Sequence, residues 1–183
     1  MDQQKNMEIA TFGSGCFWCG QALFKNLKGV ESVVVGYAGG EKPNPTYEEV
    51  CGGQTGHAEV FQVTFDPSII TYKQLVEVFF LTHDPTQMNR QGNDVGEQYR
   101  SVIYCHDEEQ KIIAEGVKLG LEDEKIFDKP IVTNIQSAET FYPAEGYHQD
   151  YYTKNPEAGY CQSVIDPKVA KFRKKFKALM KTE

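Results

Sequence analysis

A short strand that runs into a helix through glycines is the feature that most restricts how this chain can fold. Met7-Glu8-Ile9-Ala10-Thr11-Phe12 alternates as a strand does, and Gly13-Ser14-Gly15 lets the backbone turn where side chains would collide. Cys16, Gly20, Leu23 and Leu27 then recur at helical spacing until Gly29 ends the run. Cys16 is therefore expected to cap a helix N-terminus, where free N–H groups and the positive end of the dipole lower a thiol pKa. Phe17 and Trp18 fall in the first turn as an exposed aromatic pair that could line a small apolar pocket. The alternatives are a cysteine buried as a small hydrophobe and two ordinary core aromatics.

Cysteines at 16, 19, 51, 105 and 161 are odd in number, so they cannot all pair, and redox or catalytic chemistry in a reducing compartment is expected. Cys16 and Cys19 form a C-x-x-C, yet no second close Cys or His pair completes a zinc set, so no metal is expected. With a net charge of −7 over 183 residues, nucleic acid is a poor partner. Lysines do cluster at 168, 171, 174, 175, 177 and 181, beside Val169, Phe172, Phe176 and Leu179 on an apolar face, and they read as a solvated helix surface. No stretch has membrane-spanning length and no apolar leader opens the chain, so the expected location is the cytoplasm.

Farther along, Val30 to Tyr37 is β-branched and ends at the turn Ala38-Gly39-Gly40. Thr46 with Glu49 has the capping-box spacing for a short helix starting at Tyr47. In the strand His57 to Phe65, alternation puts Glu59 on one face with Phe61, Val63 and Phe65. A carboxyl so placed is costly to ionise, so it is expected to stay protonated near neutral pH and to be available as an acid. An exposed Glu at a strand end is the alternative. A helix from Thr71 to Thr82 leads to a polar stretch from His83 to Arg100 with little regular structure, a length of loop that is usually functional. A strand at Ser101 to Cys105, a helix from Asp107 to Glu124 and a strand at Ile131 to Ile135 follow, and Ala144 to Cys161 reads as flexible from its Gly and Pro content. This order predicts an α+β, two-layer ferredoxin-like (split βαβ) sandwich over residues 1–183 as one catalytic domain, with a loop-rich C-terminal segment from about residue 144. A thioredoxin fold is the rival.

The chain resembles the A-type peptide methionine sulfoxide reductases. The resemblance is carried by Gly15-Cys16-Phe17-Trp18, Gly36-Tyr37-Ala38-Gly39-Gly40, Asn44-Pro45-Thr46-Tyr47-Glu48-Glu49-Val50, Gly56-His57-Ala58-Glu59, His83-Asp84-Pro85-Thr86, Gln91-Gly92-Asn93-Asp94, Gln98-Tyr99-Arg100-Ser101, Tyr147-His148-Gln149 and Gly159-Tyr160-Cys161. It implies thiol-dependent reduction of the S epimer of methionine sulfoxide, free or in oxidised proteins, by a monomer without cofactor that thioredoxin or dithiothreitol regenerates. Cys16 would be the nucleophile, Glu59 the acid, Tyr47 and Tyr99 donors to the sulfoxide oxygen, Phe17 and Trp18 the methyl pocket, and Asp94 part of the supporting loop. Cys161 would resolve the sulfenic acid. Two departures matter: Cys19 and Gln21 stand where many relatives have glycine and glutamate, which makes Cys19 the alternative resolving thiol, and no cysteine follows Cys161, so a three-cysteine relay is not expected. A thioredoxin-like dithiol carrier using Cys16 and Cys19 is the competing function.

Overall fold

The structure is a computed structural model that describes residues 6–182. The elements in order are β1 (Glu8–Ser14), α1 (Phe17–Phe24), β2 (Val30–Ala38), α2 (Tyr47–Cys51), β3 (Ala58–Phe65), α3 (Tyr72–Leu81), β4 (Arg90–Gln91), β5 (Asp94–Val95), β6 (Ser101–Cys105), α4 (Glu108–Asp123), β7 (Asn134–Ser137), β8 (Tyr142–Pro143), α5 (Tyr151–Lys154) and α6 (Asp166–Lys175). The central strands lie in the order β6-β1-β3-β2, each antiparallel to its neighbour. That is the split-βαβ arrangement: β1-α1-β2 is a crossover with β3 slotted between its two strands. β7 extends one edge in parallel and β8 extends the other, and β4 and β5 make a separate two-stranded hairpin inside the polar stretch.

Helices cover one face of the sheet because that face is apolar. Phe12 of β1 stacks on Phe79 of α3 at 5.1 Å between ring centroids, and Phe24 of α1 packs on Phe61 of β3 at 4.9 Å. α1 approaches so closely at Gly20 that a Cβ there would stand 2.2 Å from the Phe61 ring. Capping boxes close the starts of α2 at Thr46–Glu49 and of α3 at Thr71–Gln74, satisfying end N–H groups that have no partner within the helix.

Two expectations need correction. The strand near Ile131 lies three residues later, at Asn134–Ser137. Ile131 is buried, which explains its apolar pattern, but the neighbouring Val132 N–H donates to the Pro85 carbonyl in a loop at 2.8 Å instead of to β6. The segment from Ala144 to Cys161 is also not a flexible tail. It contains α5 and enters, at Gly159, a helical run whose residues Cys161–Ile165 are π-helical and which continues unbroken into α6, and its Tyr151 packs against Trp18 of α1. Gly and Pro mark its turns, while burial of Tyr151, Tyr160 and Ile165 decides its conformation.

Candidate active site

Cys16 is the N-cap of α1, with φ −55° and ψ 123°. Gly15 before it has φ +94°, and a Cβ there would meet the Gln91 side chain at 2.6 Å, so both backbone conformation and space require glycine. Gln91 is held in turn by Asp84, whose N–H donates to the Gln91 amide oxygen at 3.0 Å and whose carbonyl accepts from its nitrogen at 2.9 Å. The motif His83-Asp84-Pro85-Thr86 thus shapes the loop that presses on the cysteine's turn. It also anchors that loop: His83 bonds the Phe79 carbonyl and the Ser101 hydroxyl through its two ring nitrogens.

A cavity of about 130 Å³ opens at Cys16, lined by Phe17, Trp18, Tyr47, Glu59, Asp94, Tyr99 and Tyr160. At ~30 Å³ per liquid water that is room for about four waters, which suits the end of a side chain better than a ligand needing 300 Å³ or more. Glu59 is 2 % exposed and accepts the Phe17 N–H at 3.0 Å, a first-turn donor of α1. Burial pushes its carboxyl up to about 8 against that hydrogen bond, and the Asp94 and Cys19 charges push the same way. Glu59 is therefore mostly protonated at pH 7. Tyr47 and Tyr99 are raised by burial as well, so both are hydroxyl donors across the working range. Asp94 accepts from the Tyr160 hydroxyl at 2.7 Å.

The surroundings of Cys16 act against the fall expected of a helix end: burial first, then a hydrogen bond with Cys19 and the nearby Glu59 carboxyl, push its thiol up. Cys19 is the thiol that is lowered, to about 7, chiefly by the hydrogen bond from Cys16 and, against burial, by Lys168 and Tyr160. Lys168 Nζ donates to its sulfur at 3.6 Å, so one member of the lysine cluster turns inward and is not part of a solvated face. Phe17 is likewise buried, not exposed, against Tyr37 and His148. Trp18 stacks on Tyr151 at 3.7 Å and donates through Nε1 to His148 Nδ1 at 3.1 Å.

Of the residues singled out from sequence, Cys16, Phe17, Trp18, Tyr47, Glu59, Asp94 and Tyr99 meet at one cavity. Cys19 lies one helical turn below Cys16, its N–H donating to the Cys16 carbonyl at 3.2 Å. Cys161 does not line the cavity and is fully buried at the start of the π-helical stretch. Tyr160 was missed as a lining residue, although it stands in the Gly-Tyr-Cys motif beside Cys161. Gln21 gains a reason: its amide nitrogen donates to the Val33 carbonyl at 2.8 Å and its oxygen accepts the Asp150 N–H at 2.8 Å, tying α1 to β2 and the C-terminal segment. A carboxylate cannot donate, so Gln21→Glu is expected to lower stability at pH 7 by about 1–3 kcal/mol, with recovery in acid where the new carboxyl is protonated. Chemical denaturation at pH 7 and pH 5 checks this, and equal losses at both would reject it. Among the described residues no group of three or more His, Cys, Asp or Glu is placed to hold a metal ion, and no helix is long and apolar enough to cross a membrane.

The chain matches the peptide methionine sulfoxide reductase family over residues 8–180. It belongs to that family. It is 60 % identical over 170 residues to the peptide methionine sulfoxide reductase MsrA of Sulfolobus acidocaldarius, covering 93 % of this chain and 96 % of that one. Among solved structures, Mxr1 from Saccharomyces cerevisiae in reduced form superposes with a TM-score of 0.80 at 36 % identity, over 87 % of this chain and 91 % of that one. The Mxr1 of the same yeast in complex with Trx2 is similar at a TM-score of 0.57 and 26 % identity, over 82 % of this chain and 87 % of that one.

Proposed function

We propose that this cavity reduces the S epimer of methionine sulfoxide, free or in oxidised proteins, with Cys16 as nucleophile and Glu59 as acid. The observation that supports this most is a protonated, buried carboxyl sharing so small a cavity with a cysteine at a helix start. The Cys16 sulfur attacks the sulfoxide sulfur while Glu59, with Tyr47 and Tyr99 donating, delivers a proton to the oxygen. The S–O bond then breaks as the oxygen, carrying the thiol's proton and the one from Glu59, leaves as water; water attacks the Cys16 sulfur and gives a proton back to Glu59, the S–S bond breaks, and methionine leaves with Cys16 as a sulfenic acid. Trp18 and Phe17 take the methyl group, and Asp94 orients Tyr160 at the cavity wall.

A thiol of this chain then closes a disulfide on Cys16, expelling water. The family resemblance assigns that step to Cys161, and Cys19, one helical turn from Cys16 with its N–H on the Cys16 carbonyl at 3.2 Å, is the alternative whose position favours it. A thioredoxin-like dithiol regenerates the enzyme, in keeping with the yeast relative captured with Trx2. A plain dithiol carrier would leave Glu59, Tyr47 and Tyr99 without work. The continuous apolar cluster from Ala10 to Phe172 supports reading the chain as one catalytic unit, and unpaired cysteines suit the cytoplasm. Incubation with each epimer of a methionine sulfoxide peptide and excess dithiothreitol tests the reading: many equivalents of methionine are expected from the S epimer alone. Equal turnover of both epimers would reject the stereochemical assignment, and no turnover of either would reject the function.

A further inference from the structure

We propose that Glu145 is a positioning residue for Tyr47: its carboxylate ties the start of α2 to the central sheet and so sets where the Tyr47 hydroxyl stands relative to Glu59. The proposal rests on the reading of Tyr47 as a donor to the sulfoxide oxygen. Tyr47 is the first residue of α2, a helix of five residues in which Val50 alone is buried. So short a helix has little stability of its own, and what fixes Tyr47 must come from outside it. The capping box is spent on its neighbours, since the Thr46 N–H goes to Glu49 at 2.9 Å and the Glu49 N–H to Thr46 at 3.3 Å. The Tyr47 N–H donates instead to Glu145 Oε2 at 3.0 Å, 98 residues further along the chain.

The other oxygen of Glu145 is held from the sheet. Oε1 accepts the Tyr37 hydroxyl at 3.0 Å, and Tyr37 is fully buried in β2, directly opposite Glu59 in β3. One carboxylate thus joins the strand pair that carries the acid to the helix that carries the donor. Oε2 also accepts the Tyr147 hydroxyl at 3.3 Å. Burial acts against charge on Glu145, yet the Tyr47 N–H and the Tyr37 hydroxyl hold its carboxyl below the ordinary range, so near pH 7 it is the acceptor these donors need.

The same turn also grips the ring. His148, in the 3₁₀ turn Gly146–His148, packs on the Tyr47 ring at 4.4 Å between centroids, and its own Nδ1 accepts the Trp18 indole N–H at 3.1 Å. With its backbone held by Glu145 and its ring by His148, Tyr47 is aimed by the C-terminal segment and not by α2. Glu145 does not line the cavity at Cys16, so it acts through Tyr47.

The test is a double-mutant cycle read in single turnovers without reductant, so that disulfide closure and thioredoxin do not limit the rate. Glu145→Ala removes the acceptor. Glu145→Asp keeps the charge but draws it back by one methylene, a milder change that carries the test if the alanine variant fails to fold. Each is made alone and with Tyr47→Phe, and methionine formed from a methionine sulfoxide peptide at pH 7 is followed by rapid quench over a range of peptide concentrations. Tyr47→Phe should slow the saturating rate about tenfold or more, the loss of one donor where Glu59 and Tyr99 remain. Glu145→Ala should slow it about tenfold and Glu145→Asp about threefold, with the half-saturating concentration within about twofold of the parent, because a misplaced donor costs rate and not affinity. Combined with Tyr47→Phe, either variant should add less than about twofold, since no hydroxyl is left to place. A carboxylate that merely stabilised the segment would raise the half-saturating concentration, and its loss would multiply with that of Tyr47→Phe. Multiplying losses, or Glu145 variants as fast as the parent, overturn the proposal and leave Tyr47 as a donor. A Tyr47→Phe rate equal to the parent's overturns the reading of Tyr47 itself, and the proposal with it.

Discussion

Glu59→Gln is expected to lower kcat for methionine sulfoxide by about 10² or more at pH 7, within the usual contribution of a placed general acid. The amide fills the same space and can still accept the Phe17 N–H, so Cys16 should keep its position and its reactivity toward iodoacetamide. What is lost is the proton held ready at about pKa 8. The parent rate should therefore fall as pH rises past 8 and the acid ionises, and the variant should lack that limb. Stability gives a second reading with a definite sign. A carboxyl raised in the folded state keeps a proton between its unfolded pKa of about 4.3 and the folded value, so stability falls as pH rises through that window. At pH 9 the parent carries the whole cost of a buried carboxylate, and Glu59→Gln should melt at the higher temperature. Steady-state rates from pH 5 to 9 and melting at pH 5 and 9 measure both effects. A variant rate at pH 7 within a few-fold of the parent would remove Glu59 as the acid.

Glu59 was legible because a strand has period two: one charged residue among Phe61, Val63 and Phe65 must share their buried face. The turn at Gly15 and the cap at Thr46 were legible for the same kind of reason, since each is decided within a few residues. The four central strands followed from their order and from crossover rules. What sequence hid was what depends on partners far along the chain. Trp18 finds Tyr151 and His148, Gln21 finds Asp150, and Asp94 finds Tyr160. Those contacts turn a Gly- and Pro-containing stretch into ordered structure, and local composition carries no trace of them. The thiols show the same divide. A helix end predicts a lowered pKa for Cys16, whereas burial, the hydrogen bond with Cys19 and the Glu59 carboxyl raise it.

Cys19→Ser should still release one equivalent of methionine and then lose most thioredoxin-dependent cycling, while Cys161→Ser should cycle close to the parent rate. The reason is distance and cost of movement. Residues three apart in a helical turn have Cα atoms about 5 Å apart, inside the ~4.4–6.8 Å range of disulfides. Cys16, as N-cap, has already left helical ψ, which frees its side chain to turn toward Cys19. Cys161 would have to leave full burial in the π-helical stretch, and moving that segment disturbs the Tyr160–Asp94 hydrogen bond and the Trp18–Tyr151 stack. Losing a thiol already in place should slow cycling by roughly 10² or more, because a positioned intramolecular partner acts at an effective molarity far above a millimolar external reductant. Mass spectrometry of the parent after one equivalent of sulfoxide should find Cys16 linked to Cys19. A dominant link to Cys161, with Cys19→Ser still cycling, would return the role to Cys161 and show that the C-terminal segment unpacks during each turnover.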